Sequence, residues 1–397
     1  MVGDDFLVRG YEDGQHFTDR EKYCPTLFVP AKKKTKYKTL EGKYVEAIQP
    51  GGVRDCREFY KKYSDVDNFT IYGNNRYIYQ YISDKYPEDE IQFDLSKIKL
   101  VTIDIEVSSE NGFPTVRECA EKVLAITIQD YTTKKIFTWG IGQFNNTNPD
   151  VQYFECWDEK ELFMKFLDWW EESPPEVVTG WNCALYDIPY IVRRLERLFG
   201  SKEMKRISPW KLVTQEEMTV KGQTNWVCDI GGITILDYLD LYKKFTYTNQ
   251  ERYSLDHIAF VELGQQKLDH SEYETFKDFY TNDWQKFVEY NIKDVELVDR
   301  LEDKMKLIEL AITMAYDAKV NFTDVFYQVR TWDAIIYNYL KKRNIVIPPK
   351  VNADKDDKYE GAYVKEPVPG MYHWVVSFDL NSLYPHLIMQ YNISPET

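Results

Sequence analysis

One strand constrains the reading of this sequence more than any other segment. Ile98-Lys99-Leu100-Val101-Thr102-Ile103-Asp104-Ile105-Glu106-Val107 is rich in β-branched residues, as strands are. Successive strand side chains point to opposite faces, so Val101, Ile103, Ile105 and Val107 share a face that belongs in a core. Asp104 and Glu106 share the other face. Two adjacent carboxylates repel, and burial makes both ions costly. They must share a proton, find a basic partner or bind a metal, and hard cations such as magnesium or manganese take carboxylate and water ligands. Taken alone, an exposed or salt-bridged pair is the simpler reading.

The surroundings make it part of a larger unit. Val123–Asp130 and Lys135–Trp139 read as strands of a meander. Asp158 and Glu161 have capping-box spacing and open a helix through Trp170. Val177-Val178 is a short strand leading to Gly180-Trp181-Asn182, after which a helix runs from Asp187 to near Gly200, a C′ glycine. Met218–Val220 and Trp226–Asp229 read as a hairpin, and a long helical pattern spans about Asp283 to Lys319. Strands and helices alternating in this way predict an α/β domain with a mixed sheet. Residues 1–97 read as mixed strands and turns. Val351–Lys358 is a polar linker, His373–Asp379 a strand, and a helix-like run follows it. The 397 residues allow two or three domains.

Composition excludes several classes. No apolar run reaches the roughly 18 residues of a membrane helix, and the acidic N-terminus lacks a signal-peptide pattern. Net charge is −15, which disfavours generic polyanion binding but leaves room for a local basic groove. The six cysteines are scattered without a Cys-x-x-Cys pattern, so zinc is disfavoured and a reducing cytoplasm fits.

Further acids fall in order along the α/β segment. Asp187 stands at a helix start, where the helix dipole favours an acid. Tyr290 and Asp294 are four apart on the long helix and share a face. Together, Asp104-Ile105-Glu106, Asp187 after Gly180-Trp181-Asn182, and Tyr290-x-x-x-Asp294 resemble the three exonuclease motifs of the DEDDy class. This is the ribonuclease H-like proofreading domain of family B DNA polymerases. Ile188-Pro189-Tyr190, the run from Ile235 to Phe245, Thr331–Ile336 and Asn392–Thr397 resemble the replicative polymerases of T-even-like phages. The resemblance covers nearly the whole chain and is weakest over residues 1–97.

The resemblance implies a 3′-to-5′ exonuclease using two magnesium or manganese ions. Asp104 would bridge both ions, Glu106 and Asp294 would help hold the one carrying water, Asp187 would hold the other, and Tyr290 would orient the attacking water. Phe113, in a Gly-Phe-Pro turn, is a candidate to stack on a frayed primer end. Lys267 resembles a family lysine near this site. The hairpin would correspond to the strand-separating hairpin of the phage enzymes.

Ser377-Phe378-Asp379-Leu380-Asn381-Ser382-Leu383-Tyr384-Pro385 resembles polymerase motif A. By that resemblance Asp379 would bind catalytic metals, and Leu380, Asn381, Ser382, Leu383 and Tyr384 would line the nucleotide site. Backbone amides of 381–383 would cradle the triphosphate, and Tyr384 would exclude a 2′-hydroxyl. Tyr359 and Gly361 would contact template DNA. No second palm carboxylate motif and no fingers helix follow, so nucleotide addition is not expected from these residues alone. The reading is an incomplete frame or the N-terminal piece of a split polymerase.

The expected organisation is an α+β N-terminal domain over 1–97, completed by about 307–347. A ribonuclease H-like exonuclease domain over 98–306 and the start of a palm over 348–397 follow. The expected partners are primer-template DNA and single-stranded 3′ ends, dNTP only with the missing polymerase region, and a second chain carrying palm, fingers and thumb. No membrane is expected, and the expected location is the cytoplasm of an infected host cell. The alternative is a non-hydrolysing nucleic-acid-binding and assembly subunit of a split polymerase.

Overall fold

The computed structural model describes residues 3–12, 14–64, 66–67, 69–88, 93–110, 112–220, 223–349 and 361–394. They fall into two units, Met1–Pro349 and Lys350–Thr397.

The first unit is organised around a six-stranded mixed sheet. Its strand order is Thr234–Ile235, Val177–Thr179, Leu100–Val107, Val123–Asp130, Ile136–Gly140, Val151–Glu155. The first three strands run parallel, the next two pairings are antiparallel, and the last is parallel again. The edge strand Val151–Glu155 has no clear alternation in the sequence to announce it. Val101, Ile103, Ile105 and Val107 are buried in one cluster with Leu162, Phe163 and Phe166 of helix Glu159–Glu172 and Ile188 and Ile191 of helix Asp187–Phe199. Helix Trp284–Met305 covers the opposite face, where Thr102, Thr127 and Thr138 replace the aliphatic row. That face therefore carries a buried polar seam, which an apolar core would not tolerate without full hydrogen bonding.

The expected long helix is two. Trp284–Met305 ends where Lys306 turns left-handed (φ 56°), and Leu307–Ala318 starts again. The break carries neither glycine nor proline. The buried Glu302 carboxylate accepts the Ile308 and Glu309 amides at 3.0 and 3.2 Å, satisfying the free N–H groups of the new helix. This capping depends on a bent chain, which helical periodicity does not report. Helix Asp187–Phe199 ends at Gly200 as expected (φ 82°). The hairpin is longer than expected, pairing Val213–Val220 with Gln223–Ile230.

The N-terminal residues form a hairpin, Asp5–Glu12 with Gln15–Lys22, and a four-stranded sheet. That sheet takes its last strand, Ile345–Val346, from far along the chain and pairs it with Tyr37–Thr39.

In the second unit, the described residues contain one helix, Leu383–Tyr391. His373–Asp379 is not a strand, contrary to expectation. It has no ladder partner among the described residues, and Trp374, Val375, Val376 and Phe378 are all exposed. An isolated strand cannot satisfy its backbone or bury its apolar side. The expected linker, Val351–Lys358, lies outside the described residues.

Candidate functional site

The site forms where the central strand meets two helices. Strand Val177–Thr179 pairs with Leu100–Val107 only as far as Thr102, so the backbone beyond is open on that side. Asp187 fills the opening: its Oδ1 accepts the Ile105 amide at 3.0 Å. The loop delivering Asp187 explains the Gly180-Trp181-Asn182 sequence. A Cβ on Gly180 would lie 2.5 Å from the Ile103 carbonyl oxygen. Asn182 is left-handed (φ 66°), a conformation that asparagine accepts more readily than most residues. The Trp181 indole donates to the Tyr253 carbonyl at 3.0 Å.

Asp237 clamps this loop. Its carboxylate accepts the amides of Asn182, Ala184 and Leu239 at 3.1, 2.9 and 2.9 Å. Sequence reasoning did not single out Asp237. Its position just ahead of helix Tyr238–Phe245 marks it as an N-cap, but the second role needs the tertiary fold.

Asp104, Glu106 and Asp294 come together from the strand and from helix Trp284–Met305. One oxygen of each lies within 4.8 Å of the others. Glu106 and Asp294 are buried and Asp104 is partly so. Burial, followed by the charges of the neighbouring carboxylates, drives Asp104 well above the usual range and Glu106 up to about 8. Burial likewise pushes Asp187 up to about 7, against the backbone amides that favour its charged form. Asp294 is also raised by burial, against the pull of Lys267.

Lys267 is not a surface lysine. Its ammonium is held by Asp294 Oδ2 and donates to the Tyr290 hydroxyl at 3.1 Å. Burial works against this charge, but Asp294, Tyr290 and Asp104 hold its pKa above the usual lysine value. One ammonium faces four carboxylates, so once these ionise the site is short of positive charge. Asp294 Oδ1 is shut from solvent without a hydrogen-bond partner among the described residues. A buried carboxylate oxygen free to accept, within a set of hard oxygen donors, fits a hard metal cation.

Asn291 was not found in the sequence, although it is three residues before Asp294 on the same helix. It is fully buried and donates from Nδ2 to Asp104 Oδ2 at 2.7 Å. Its Oδ1 accepts from Thr127, whose hydroxyl lies 3.0 Å from that of Thr138. The polar seam thus ends on Asp104 and orients it.

Phe113 is 81% exposed, and its ring lies 6.0 Å from Tyr186, the neighbour of Asp187. It is a surface ring beside the site rather than a core aromatic. The other expected residues lie in the second unit. Asp379, Leu380, Asn381, Ser382, Leu383, Tyr384 and Gly361 are exposed there, and the Leu383 amide donates to the Leu380 carbonyl at 3.2 Å. Tyr359 lies outside the described residues.

Residues 48–258 match the exonuclease domain of DNA polymerase family B, and residues 326–397 match DNA polymerase family B itself. The chain belongs to family B of the DNA polymerases. It is similar to the DNA-directed DNA polymerases of Escherichia phage RB69 (35% identical) and Enterobacteria phage T4 (32% identical); each comparison covers all of this chain and 46% of the relative. It is also 26% identical to the DNA polymerase delta catalytic subunit of Candida albicans, over 78% of this chain and 31% of that protein. The chain thus spans just under half the length of its phage relatives. As a family B sequence it carries Asp104, Glu106 and Asp187 inside the exonuclease match, whereas Lys267, Tyr290 and Asp294 lie beyond its end. Among the described residues, no helix is long and apolar enough to cross a membrane.

Proposed function

We propose that this family B chain is a metal-dependent 3′-to-5′ exonuclease that removes nucleotides from DNA 3′ ends. The observation that carries the reading is the cluster of Asp104, Glu106 and Asp294 within 4.8 Å, together with an Asp294 oxygen that has no hydrogen-bond partner among the described residues. Asp104, Glu106 and Asp294 would hold one cation, and Asp104 with Asp187 a second. Two magnesium or manganese ions would supply an activated water and neutralise charge growing on the scissile phosphate. The Tyr290 hydroxyl, kept protonated by burial and by Asp294, can donate a hydrogen bond and orient the water. Lys267 fixes Tyr290 and Asp294 relative to each other. Phe113 offers an exposed face on which a terminal base can stack.

The wider assignment follows the similarity to the phage polymerases. Residues 98–306 form the exonuclease domain, residues 1–97 with about 307–347 an N-terminal domain, and residues from 348 the start of a palm. Asp379 would take part in metal binding there, Leu380 to Tyr384 in nucleotide binding, and Tyr359 and Gly361 in template contact. These roles require palm, fingers and thumb regions, in the same polypeptide or in a second chain. The setting is DNA replication inside an infected host cell.

The test is digestion of an end-labelled single strand with magnesium, with and without chelator. Replacing residues that support metal ligands typically costs about 10–100-fold, so removing a ligand itself should cost more. Asp104→Ala should lose well over roughly 100-fold in rate while its circular dichroism spectrum is unchanged. A folded Asp104→Ala chain that digests at the parent rate would refute the site. A parent chain that binds the strand without cutting it would favour the assembly-subunit reading.

A further inference from the structure

Away from the carboxylates, three arginines surround one cleft. Arg57, Arg76 and Arg330 line an opening of about 360 Å³ together with Asn75, Tyr77, Ile78 and Tyr79. The volume lies within the range of small-ligand sites. Like charges around one opening repel, so the arrangement needs an explanation. Arg330 is neutralised by the buried Asp324 carboxylate at 2.7 Å. Arg76 is not matched in this way: among the described residues its ion-pair partner is Asp333, with an oxygen 4.0 Å away, beyond hydrogen-bond reach. Its Nη1 is shut from solvent without a hydrogen-bond partner among the described residues. The Arg76 side chain as a whole is 36% exposed, so its other atoms remain open to a ligand in the cleft.

The backbone adds to the same sign of charge. The cleft lies at the start of helix Tyr77–Lys85, whose N-cap is Arg76 and which has no capping side chain. Its first turn therefore presents the positive end of the helix dipole to the opening. Guanidinium forks match phosphate oxygens in pairs. The buried rings of Tyr77 and Tyr79 give the cleft an apolar wall suited to a sugar or base.

We propose that the cleft of Arg57, Arg76 and Arg330 binds the phosphate group of a nucleotide. The nucleotide is free or part of a single strand, and both present the same phosphate chemistry. The site does not depend on the exonuclease reading, because none of its residues belongs to the carboxylate cluster.

The test uses the full chain in chelator, so that no strand is cut. Pyrophosphate, dAMP and a fluorescein-labelled oligothymidylate are added to the parent and to the Arg57→Gln/Arg76→Gln double variant. Thermal midpoints and fluorescence anisotropy are then measured. A free-nucleotide site gives a rise in midpoint with pyrophosphate and dAMP at ~10 mM that disappears in the variant. A strand site gives at least about tenfold weaker oligothymidylate binding in the variant, with a salt slope shallower by about 0.7 for each phosphate that is no longer neutralised. Either result supports the proposal, provided the variant's exonuclease rate in magnesium matches the parent's. Equal binding and equal slopes in both proteins overturn it, as does no response to any probe. If the variant fails to fold, the parent alone decides. Pyrophosphate or oligothymidylate should protect Arg76 from phenylglyoxal, as read by mass spectrometry, and unchanged modification overturns the proposal.

Discussion

Asn291→Ala is the most informative single change. In the parent, Asn291 donates to Asp104 at 2.7 Å and accepts from Thr127. The alanine leaves both groups without that partner. An orphaned buried group costs about 1–3 kcal/mol. Thr127 keeps its bond to Thr138, and Asp104 is partly open to solvent, so the sum falls toward the lower end for two such groups, about 2–3 kcal/mol in all. Urea denaturation of the full chain in chelator measures this as a lower midpoint with an unchanged slope. The chemical consequence is separate. All of the carboxylates remain, but Asp104 is free to rotate, and residues that orient metal ligands contribute about 10–100-fold to metal affinity. Magnesium titration of the exonuclease rate should therefore move to higher concentration by that factor, with the saturated rate recovering to within a few-fold of the parent. Asp104→Ala should not recover at any magnesium concentration. An Asn291→Ala chain with parent stability and parent magnesium dependence would show that the polar seam does not position Asp104.

Other expectations follow from the same site. Single strands and mismatched primer ends should be cut faster than matched duplex, because a mismatched end costs less to open; equal rates on all three would count against a proofreading role. In chelator, Glu106 and Asp187 keep protons up to about 8 and about 7, whereas unfolded they release them near 4. The folded chain then binds more protons, so stability present at about pH 4 should be lost as pH rises to about 8, by up to about 1.4 kcal/mol per unit for each group. Denaturation midpoints across that window check this; magnesium and Glu106→Gln should each flatten the slope, and a flat parent profile would contradict the shifts. In an assembled polymerase, Tyr384→Ala should raise ribonucleotide incorporation relative to deoxyribonucleotide, and an unchanged ratio would remove Tyr384 from the sugar site.

The sheet strands and the acidic positions were legible because they follow local rules. Alternation placed Ile103 in the core and Asp104 opposite, and helical spacing put Tyr290 above Asp294. The hidden features depend on the folded path of the chain rather than on a local pattern. Glu302 caps the helix after its own, Asp237 holds a loop more than fifty residues earlier, and Asn291 reaches a strand 187 positions away. The resemblance puts Lys267 near the site, but nothing next to it in sequence marks Asp294 as its partner. The opposite error occurred at His373–Asp379, where a strand-like composition lacks a neighbouring strand among the described residues.

The distance between Asn291 and Asp104 along the chain also bears on how the protein is made. The ribosome produces the chain from the N-terminus, and regions fold as they emerge. Leu100–Val107 and its neighbouring strands can pair early, yet helix Trp284–Met305 emerges nearly two hundred residues later. Until then, the nascent sheet has Asp104 and Glu106 without Asp294, Tyr290 or the cover that desolvates them. On the proposed exonuclease reading, a growing polypeptide would not cut nucleic acid around it, and nuclease competence would arise in one late step, when the closing helix docks. Ribosome-stalled chains ending before residue 284 should bind no catalytic cation, while chains extending well beyond 305 should acquire both the metal site and the activity.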